Sequence, residues 1–297
     1  MQPELIKYLV SLFLFGSNGV VASYIDLSSY EIVYLRTLIG CVVIILFFFL
    51  GKNRPTFHKK PKQVFFVALS GACMGAGWIF LYEAFEHIGV GISSLLYYCG
   101  PVIVMILSPI IFREKLTVIK LVGFVAVVAG LFFVNGTDSG NSNSYFGLFC
   151  GVMSAFMLAG LIIFNKMAKG IDGFENSMLQ MFFTFLTVAV FMLFKQGLKV
   201  EFDRSDIFPI IFQGVVNSGL GCYLYFSSIG KLHVQTVAVC GYLEPLSAVL
   251  FSVVILGERM LPLQVLGAVL IIGGAFVSEV KLKGLIKPRR RAKIEKN

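Results

Sequence analysis

Long apolar segments separated by short polar loops run through the whole chain. Each segment has about 20 residues, which is the length of a helix that crosses a lipid bilayer. We predict ten such helices, at residues 5–25, 30–50, 63–85, 91–111, 117–134, 145–166, 175–194, 207–228, 236–256 and 261–280. The pattern therefore predicts an all-α integral membrane protein with ten transmembrane helices.

The apolar pattern repeats at an offset of 144 residues. The matched pairs are Gly75 and Gly219, Gly77 and Gly221, Tyr98 and Tyr242, Pro101 and Pro245, Ser108 and Ser252, Glu114 and Glu258, Gly123 and Gly267, and Gly130 and Gly274. We predict two five-helix repeats, at 1–138 and 139–281, followed by a basic tail at 282–297. An odd number of helices per repeat inserts the second repeat upside down, so the repeats are expected to be inverted around a central cavity.

The basic residues favour one side of the predicted membrane. With the N-terminus inside, twenty Lys and Arg residues lie on the cytoplasmic side and four on the outer side. This bias predicts an integral protein of the cell membrane with both termini cytoplasmic. The net charge of +9 comes from short runs between apolar segments, so we expect the lipid bilayer, and not nucleic acid, as the partner of these residues.

Cysteines and histidines do not form a metal or redox pattern. The six cysteines (Cys41, Cys73, Cys99, Cys150, Cys222 and Cys240) all fall inside predicted spans, without a CxxC spacing. We expect free thiols, no metal and no cofactor.

Several motifs together carry a family resemblance. They are Gly16-Ser17-Asn18, Tyr34-Leu35-Arg36, Pro101 followed by Arg113-Glu114-Lys115-Leu116, and Glu244-Pro245 followed by Gly257-Glu258-Arg259-Met260. With ten spans in two halves, the chain resembles the EamA group of the drug/metabolite transporter superfamily. The resemblance implies a central cavity lined by helices 1–4 and 6–9, and transport of amino acids or other small metabolites.

The matched prolines, Pro101 and Pro245, are predicted to be hinges in the middle of helices. Proline removes a backbone hydrogen bond, and matched interruptions in two halves indicate a transporter's central site. Glu244 directly precedes Pro245 near the bilayer midplane. It is our first candidate for exchanging a proton or binding an amine, with a structural acid as the alternative.

Arg36 and Glu83 are two further ionisable residues in the outer half of predicted spans. They are within reach of one another in depth, so we favour a buried ion pair, with Arg36 binding a substrate carboxylate as the alternative. Glu83 is the second coupling candidate. Glu114 and Glu258 have basic neighbours in sequence and are predicted to form local ion pairs at the membrane surface.

Further polar and aromatic residues inside predicted spans offer hydrogen bonds or ring faces to a ligand. Together with Arg36 and Glu244, we predict that these bind substrate: Asn18, Trp78, Tyr82, Tyr98, Asn217, Tyr223 and Tyr242.

These features predict a secondary active transporter, acting as a monomer or homodimer. Its expected substrate is an amino acid or a related zwitterionic or aromatic compound, moved by alternating access, with proton coupling as one mode. Arg36 is the only Lys or Arg away from the ends of a predicted span, which disfavours phosphorylated substrates. A nucleobase, vitamin or cationic-drug transporter of the same fold remains an alternative, as does a channel or a membrane enzyme.

Overall fold

The computed structural model describes residues 3–51, 55–112, 142–168, 170–171, 173–229, 240–241 and 243–279, with scattered positions between 122 and 133. The α-helices, in chain order, are α1 (Pro3–Gly16), α2 (Asn18–Ala22), α3 (Ser29–Leu50), α4 (Pro61–Ile88), α5 (Val90–Tyr97), α6 (Gly100–Phe112), α7 (Ser142–Met167), α8 (Gly173–Lys195), α9 (Ile207–Ile211), α10 (Gly221–Ile229), α11 (Leu243–Ile255) and α12 (Pro262–Glu279). Between α9 and α10 lies a π-helix, Phe212–Leu220, which we call the π segment.

Five helical stretches of the described chain are long and apolar enough to cross a membrane. They are Ser29–Leu50, Pro61–Ile88, Tyr145–Met167, Gly173–Lys195 and Ile207–Tyr225, and shorter apolar helices cover Val90–Val104, Leu243–Ile255 and Pro262–Gly274. Most of the predicted span 117–134 and the start of the predicted span 236–256 lie outside the described residues. The all-helical architecture is therefore as expected, whereas the number of ten spans stays a prediction.

Two of the predicted spans are interrupted, and their breaks are local. The first stops at Ser17, between α1 and α2. The fourth stops at Tyr98 and Cys99, where the Cys99 amide bonds to the Leu96 carbonyl at 3.0 Å, three residues back. Pro101 follows as the second residue of α6, so it begins a helix and does not kink the middle of one. This position suits proline, because an amide in the first turn needs no intrahelical partner.

The two halves of the chain are interleaved. Helix α4 packs along α7 and α8, α3 packs on α8 and the π segment, and α1 packs on α10 and α11. The broken span α5–α6 also meets α7, and α5 contacts α11. The core is therefore built mainly between halves, and neither half buries its apolar faces alone.

Some close contacts between helices occur twice, and the two copies are related by the 144-residue offset. A Cβ atom added at Gly130 would lie 2.6 Å from the Gly267 carbonyl oxygen, and one at Gly274 would lie 2.7 Å from that of Gly123. Exchanging the two halves converts one contact into the other. The glycines matched in the sequence thus mark places where two helix backbones touch.

Two acidic residues at the same offset also tie the halves together. Glu31 accepts a hydrogen bond from Gln196 Nε2 at 2.6 Å. Its counterpart Glu175 accepts from Thr56 Oγ1 at 2.6 Å and from the Phe57 amide at 2.8 Å. Each carboxylate therefore holds a loop that belongs to the other half of the chain.

Glu258 has a different role from the predicted local ion pair. Its carboxylate accepts hydrogen bonds from the amides of Val90 at 2.8 Å and Gly91 at 3.1 Å, at the start of α5. The positive end of the helix and its unpaired amides attract an acid more strongly than an exposed lysine or arginine does. Its predicted counterpart, Glu114, lies outside the described residues.

The glycine contacts predict different effects for two neighbouring residues of α12. Gly274→Ala places a methyl group against the Gly123 oxygen and should lower stability by roughly 1–3 kcal/mol, as overpacking does. Gly273→Ala meets no atom of the described residues within 4 Å and serves as the matched control. Thermal unfolding of both variants in detergent measures the difference, and equal melting temperatures would contradict the contact.

Candidate functional site

Arg36 is the centre of a buried polar cluster. It lies on α3 with 1% of its surface exposed, which is unusual for an arginine. Its Nε donates to Ser218 Oγ at 3.0 Å, and Nη1 donates to the Tyr82 hydroxyl. The guanidinium carbon stands 4.2 Å from the centroid of the Trp78 ring, in cation–π geometry. Helices α3 and α4 and the π segment are thus joined at one charge.

The cluster extends through side-chain amides to the break in the first span. Gln213 Nε2 donates to the Tyr82 hydroxyl and, at 3.2 Å, to the Asn18 carbonyl oxygen. Asn217 Nδ2 donates to Asn18 Oδ1 at 2.9 Å and to Ser17 Oγ at 3.3 Å. We call the whole set the Arg36 network, and its members are Ser17, Asn18, Arg36, Trp78, Tyr82, Gln213, Asn217 and Ser218.

Three atoms of the Arg36 network have no hydrogen-bond partner within the described chain. They are Arg36 Nη2, Gln213 Oε1 and Asn217 Oδ1, and all three are closed off from water. A buried polar atom without a partner costs about 1–3 kcal/mol, and more when it is charged. A ligand that carries both an acceptor and donors would match these atoms. Its acceptor would pair with Arg36 Nη2, and its donors would pair with the two amide oxygens.

Glu244 lies at the edge of this network and is partly exposed. Its carboxyl group lies beside the Tyr98 hydroxyl and within electrostatic range of Arg36. The approach to Tyr98 is loose, because it falls short of a well-formed hydrogen bond. Tyr98 stacks edge-on against Tyr97 with ring centroids 5.3 Å apart, and the Tyr97 hydroxyl lies beside Trp78. An aromatic wall therefore connects the carboxylate of Glu244 to the guanidinium of Arg36.

Five of the residues predicted to bind substrate meet in the Arg36 network, namely Asn18, Arg36, Trp78, Tyr82 and Asn217. Tyr98 and Glu244 meet beside it. Tyr223 does not join them, since its ring packs edge-on against Phe47 and Phe174 at 6.1 and 5.2 Å. Tyr242 lies outside the described residues. Pro245 is buried in the first turn of α11, one residue after Glu244.

The predicted ion pair between Arg36 and Glu83 is wrong. Glu83 accepts a hydrogen bond from Ser29 Oγ and lies 3.5 Å from His87 Nε2. The Glu83 carboxylate faces the start of α3, nearly two turns before Arg36. The guanidinium of Arg36 lies instead over the rings of Trp78 and Tyr82. Glu83 therefore stays a coupling candidate without any contact to the Arg36 network.

Sequence reasoning overlooked Gln213 and Ser218. Ser17 was noted only as part of a motif, and Tyr97 only as one of several aromatic residues within spans. Gln213 was the most detectable of these, since a glutamine within a membrane span is costly unless its amide is paired.

The counterpart of Arg36 in the second half is Gln180, whose Nε2 lies 3.3 Å from Met74 Sδ. Met74 is itself the counterpart of Ser218. The contact between Arg36 and Ser218 thus has a neutral copy in the other half, where Asn165 donates to Gln180 Oε1 at 2.6 Å.

Comparison with known proteins identifies the scaffold that carries this site. The sequence profile of the EamA-like transporter family matches residues 3–136 and, a second time, residues 145–279. The chain belongs to the EamA-like transporter family. With its apolar helices, this membership makes it an integral membrane protein of a transporter family.

Curated relatives and a solved structure agree with that assignment. The uncharacterized transporter YxxF of Bacillus subtilis is 25% identical over 288 residues, which is 95% of this chain and 91% of the relative. A probable amino-acid metabolite efflux pump of Salmonella typhimurium is 24% identical, over 75% of this chain and 79% of the relative. A crystal structure titled only as that of a protein has a TM-score of 0.67 at 15% identity, covering 93% of this chain and 97% of the other, and it supports the fold alone.

The shared hydroxyl of Tyr82 predicts a stability effect. Tyr82→Phe leaves Arg36 Nη1 and Gln213 Nε2 without their common acceptor, so we expect a loss of at least about 1–3 kcal/mol. Tyr24→Phe is the control, because Tyr24 is 61% exposed and lies outside the Arg36 network. Thermal unfolding in detergent compares the two, and a Tyr82→Phe protein as stable as the control would remove the hydroxyl from the network.

Proposed function

We propose that this protein is a secondary active transporter of small zwitterionic metabolites, with amino acids as its first substrate class. The observation that carries the proposal is the set of three unsatisfied atoms in the Arg36 network. They combine one cationic donor with two neutral acceptors in a site that excludes water. An α-amino acid presents a carboxylate and an ammonium group two bonds apart, and it can satisfy both kinds of atom at once.

Arg36 is the group that would bind the carboxylate. Its partners Ser218 and Tyr82 are hydroxyls that orient the guanidinium without neutralising it, and Nη2 stays available. A guanidinium fork matches a carboxylate in geometry and charge. The ammonium group would then donate to Asn217 Oδ1 and Gln213 Oε1, with the carboxylate of Glu244 near enough to balance its charge.

The body of the substrate would lie along Trp78, Tyr97 and Tyr98. These rings form the wall between Arg36 and Glu244, so they suit an aromatic or aliphatic side chain. The name of the Salmonella relative, a probable amino-acid metabolite efflux pump, supports the same class. An organic cation is the second candidate, because tyrosine hydroxyls and rings surround Glu244.

Alternating access between inverted repeats is the proposed mechanism. Contacts that recur when the halves are exchanged, such as Gly130 on Gly267 and Gly274 on Gly123, support a pseudo-two-fold axis between residues 1–138 and 139–281. Combined with the charge bias of the loops, the axis lies in the plane of the cell membrane, with both termini cytoplasmic. Opening toward one side would exchange the conformations of the two halves.

The proposed substrate class can be tested through the single tryptophan. Trp78 is the only tryptophan in the chain, and it stacks on Arg36, so its fluorescence reports binding without a label. We expect free amino acids to change the emission and to raise the melting temperature of the purified protein. N-acetylated amino acids and amino-acid amides lack one charged group each and should have little effect. A response to organic cations alone would favour the second candidate.

Glu244→Gln tests proton coupling. The variant keeps the shape and hydrogen-bonding capacity of the side chain and removes its titration, so we expect transport in proteoliposomes to lose its pH dependence. Glu83→Gln is the control, because Glu83 bonds to Ser29 and His87 away from the site, and it should keep the pH profile. If Glu244→Gln keeps the profile and Glu83→Gln loses it, the coupling group is Glu83.

A further inference from the structure

The π segment differs from its counterpart in the first half. At the 144-residue offset, Phe212–Leu220 corresponds to residues 68–76, which lie within the regular helix α4. The π segment has hydrogen bonds that span five residues, as the bond from the Gly221 amide to the Val216 carbonyl shows. Such helices are rare and occur mostly as single turns, often at functional sites.

Contacts with the neighbouring helix show a one-residue difference between the two segments. In the first half, Gly71 and Gly75, four residues apart, touch Phe183 and Thr187 of α8. In the second half, Gly214 and Gly219, five residues apart, touch Ile39 and Val43 of α3. Ile39 and Val43 are the counterparts of Phe183 and Thr187. The π segment therefore contains one residue more than α4 needs to make the same contacts.

The π register also places the side chains of the site. An α-helix turns by about 100° per residue, so Ser218 would point roughly 140° away from Gln213. A π-helix turns by roughly 80° per residue, which brings Gln213, Asn217 and Ser218 onto one face. On that face the three side chains reach Tyr82, Asn18 and Arg36 respectively. The arrangement of the Arg36 network thus depends on the register.

We propose that Gln213 and Ser218 are positioning residues held by the π register, and that a slip of this segment into the α register releases Arg36 and opens the site. The proposal rests on the proposed transport function, since it identifies the step that gates that site. In the released state, Phe212–Leu220 would have the α register that α4 has here.

Packing couples the slip to opening. An added Cβ atom at Gly214 would lie 2.5 Å from Ile39 Cβ, and one at Gly219 would lie 2.6 Å from Val43 Cγ1. In the α register the residue next to one of these glycines takes the position of that glycine. Either Val215 would lie beside Ile39, or Ser218 would lie beside Val43. Neither side chain fits at that distance, so α3 and the π segment must separate. Separation withdraws Ser218 from Arg36 and admits water or substrate.

Deleting the surplus residue tests the proposal directly. In the variant that lacks Val216 (ΔVal216), Gly214 and Gly219 are four residues apart, as the matching glycines of α4 are. The segment then has no second register to adopt. We expect a folded protein with wild-type Trp78 emission and transport reduced at least tenfold. The matched deletion is ΔAla72, at the corresponding place in α4, which should fail to fold because α4 has no surplus. A ΔVal216 protein that transports at the wild-type rate, or that fails to fold like ΔAla72, overturns the proposal.

Hydrogen exchange provides a test that needs no substrate and no deletion. Amides of residues 212–220 in the wild-type protein should exchange at least about tenfold faster than those of residues 68–76, because the slip breaks their bonds. In ΔVal216 the difference should vanish. Equal protection of the two segments in the wild-type protein would overturn the proposal, even if the protein transports amino acids. Wild-type protein that exchanges as expected but transports no amino acid would overturn the proposed substrate and leave the slip intact.

Ser218→Ala tests the positioning role. Loss of the hydroxyl frees Arg36 Nε, so we expect faster exchange across residues 212–220 and a shift in Trp78 emission. Ser228→Ala is the control, because the bonds of the Ser228 hydroxyl within the described chain go to carbonyls of its own helix, those of Leu224 and Tyr225. If Ser218→Ala behaves like the control in both measurements, Ser218 has no positioning role.

Discussion

The burial of the Arg36 charge is the constraint on which the centre of the protein depends. A guanidinium buried away from water needs hydrogen-bond acceptors for its N–H groups and groups that stabilise its charge. Without them, the folded state is destabilised by several kcal/mol. Here hydroxyls and two aromatic faces supply that stabilisation, and a direct carboxylate partner is replaced by the more distant Glu244. Because the neighbours are neutral, the charge stays available to an anionic group. The same contacts lock α3, α4 and the π segment together.

The two halves share a scaffold and differ in chemistry. Glycine contacts recur at the 144-residue offset, which keeps the helix backbones in equivalent places. At the centre, however, the charged contact of Arg36 with Ser218 has a neutral copy in Gln180 and Met74. The charge is thus present in one of the two matched contacts, whereas the other is polar and neutral. Under the proposed function, this difference would favour one orientation of a charged substrate.

Irregular backbone is concentrated where the polar side chains meet. The break at Ser17, the break at Tyr98 and Cys99, and the π segment all border the Arg36 network or Glu244. In hydrocarbon an interrupted helix is tolerated only where protein groups or a water-filled cavity satisfy the exposed amides and carbonyls. Side chains from other spans do so here, as in the bond from Gln213 to the Asn18 carbonyl. The same feature that weakens a helix therefore builds a site.

The sequence was sufficient for the helical class, for most described spans and for much of the candidate site. Composition forces apolar segments into lipid, and a polar residue inside such a segment is costly enough to stand out, which identified Arg36, Trp78, Tyr82, Asn18 and Asn217. The partners of Arg36 could not be predicted, because pairing depends on how each helix is rotated about its axis. Glu83 is close to Arg36 in depth and yet faces Ser29.

Only the tertiary structure decided the register of the π segment. An α-helical reading of residues 212–220 keeps Gln213 and Asn217 on one face but turns Ser218 away from them, so Ser218 looks unrelated to the other two in the sequence. Nothing in the local sequence specifies an additional residue per turn. The register is set by Gly214 and Gly219 resting against Ile39 and Val43, residues about 175 positions earlier in the chain. Packing between halves, which a linear pattern does not record, therefore determined which side chains share a site.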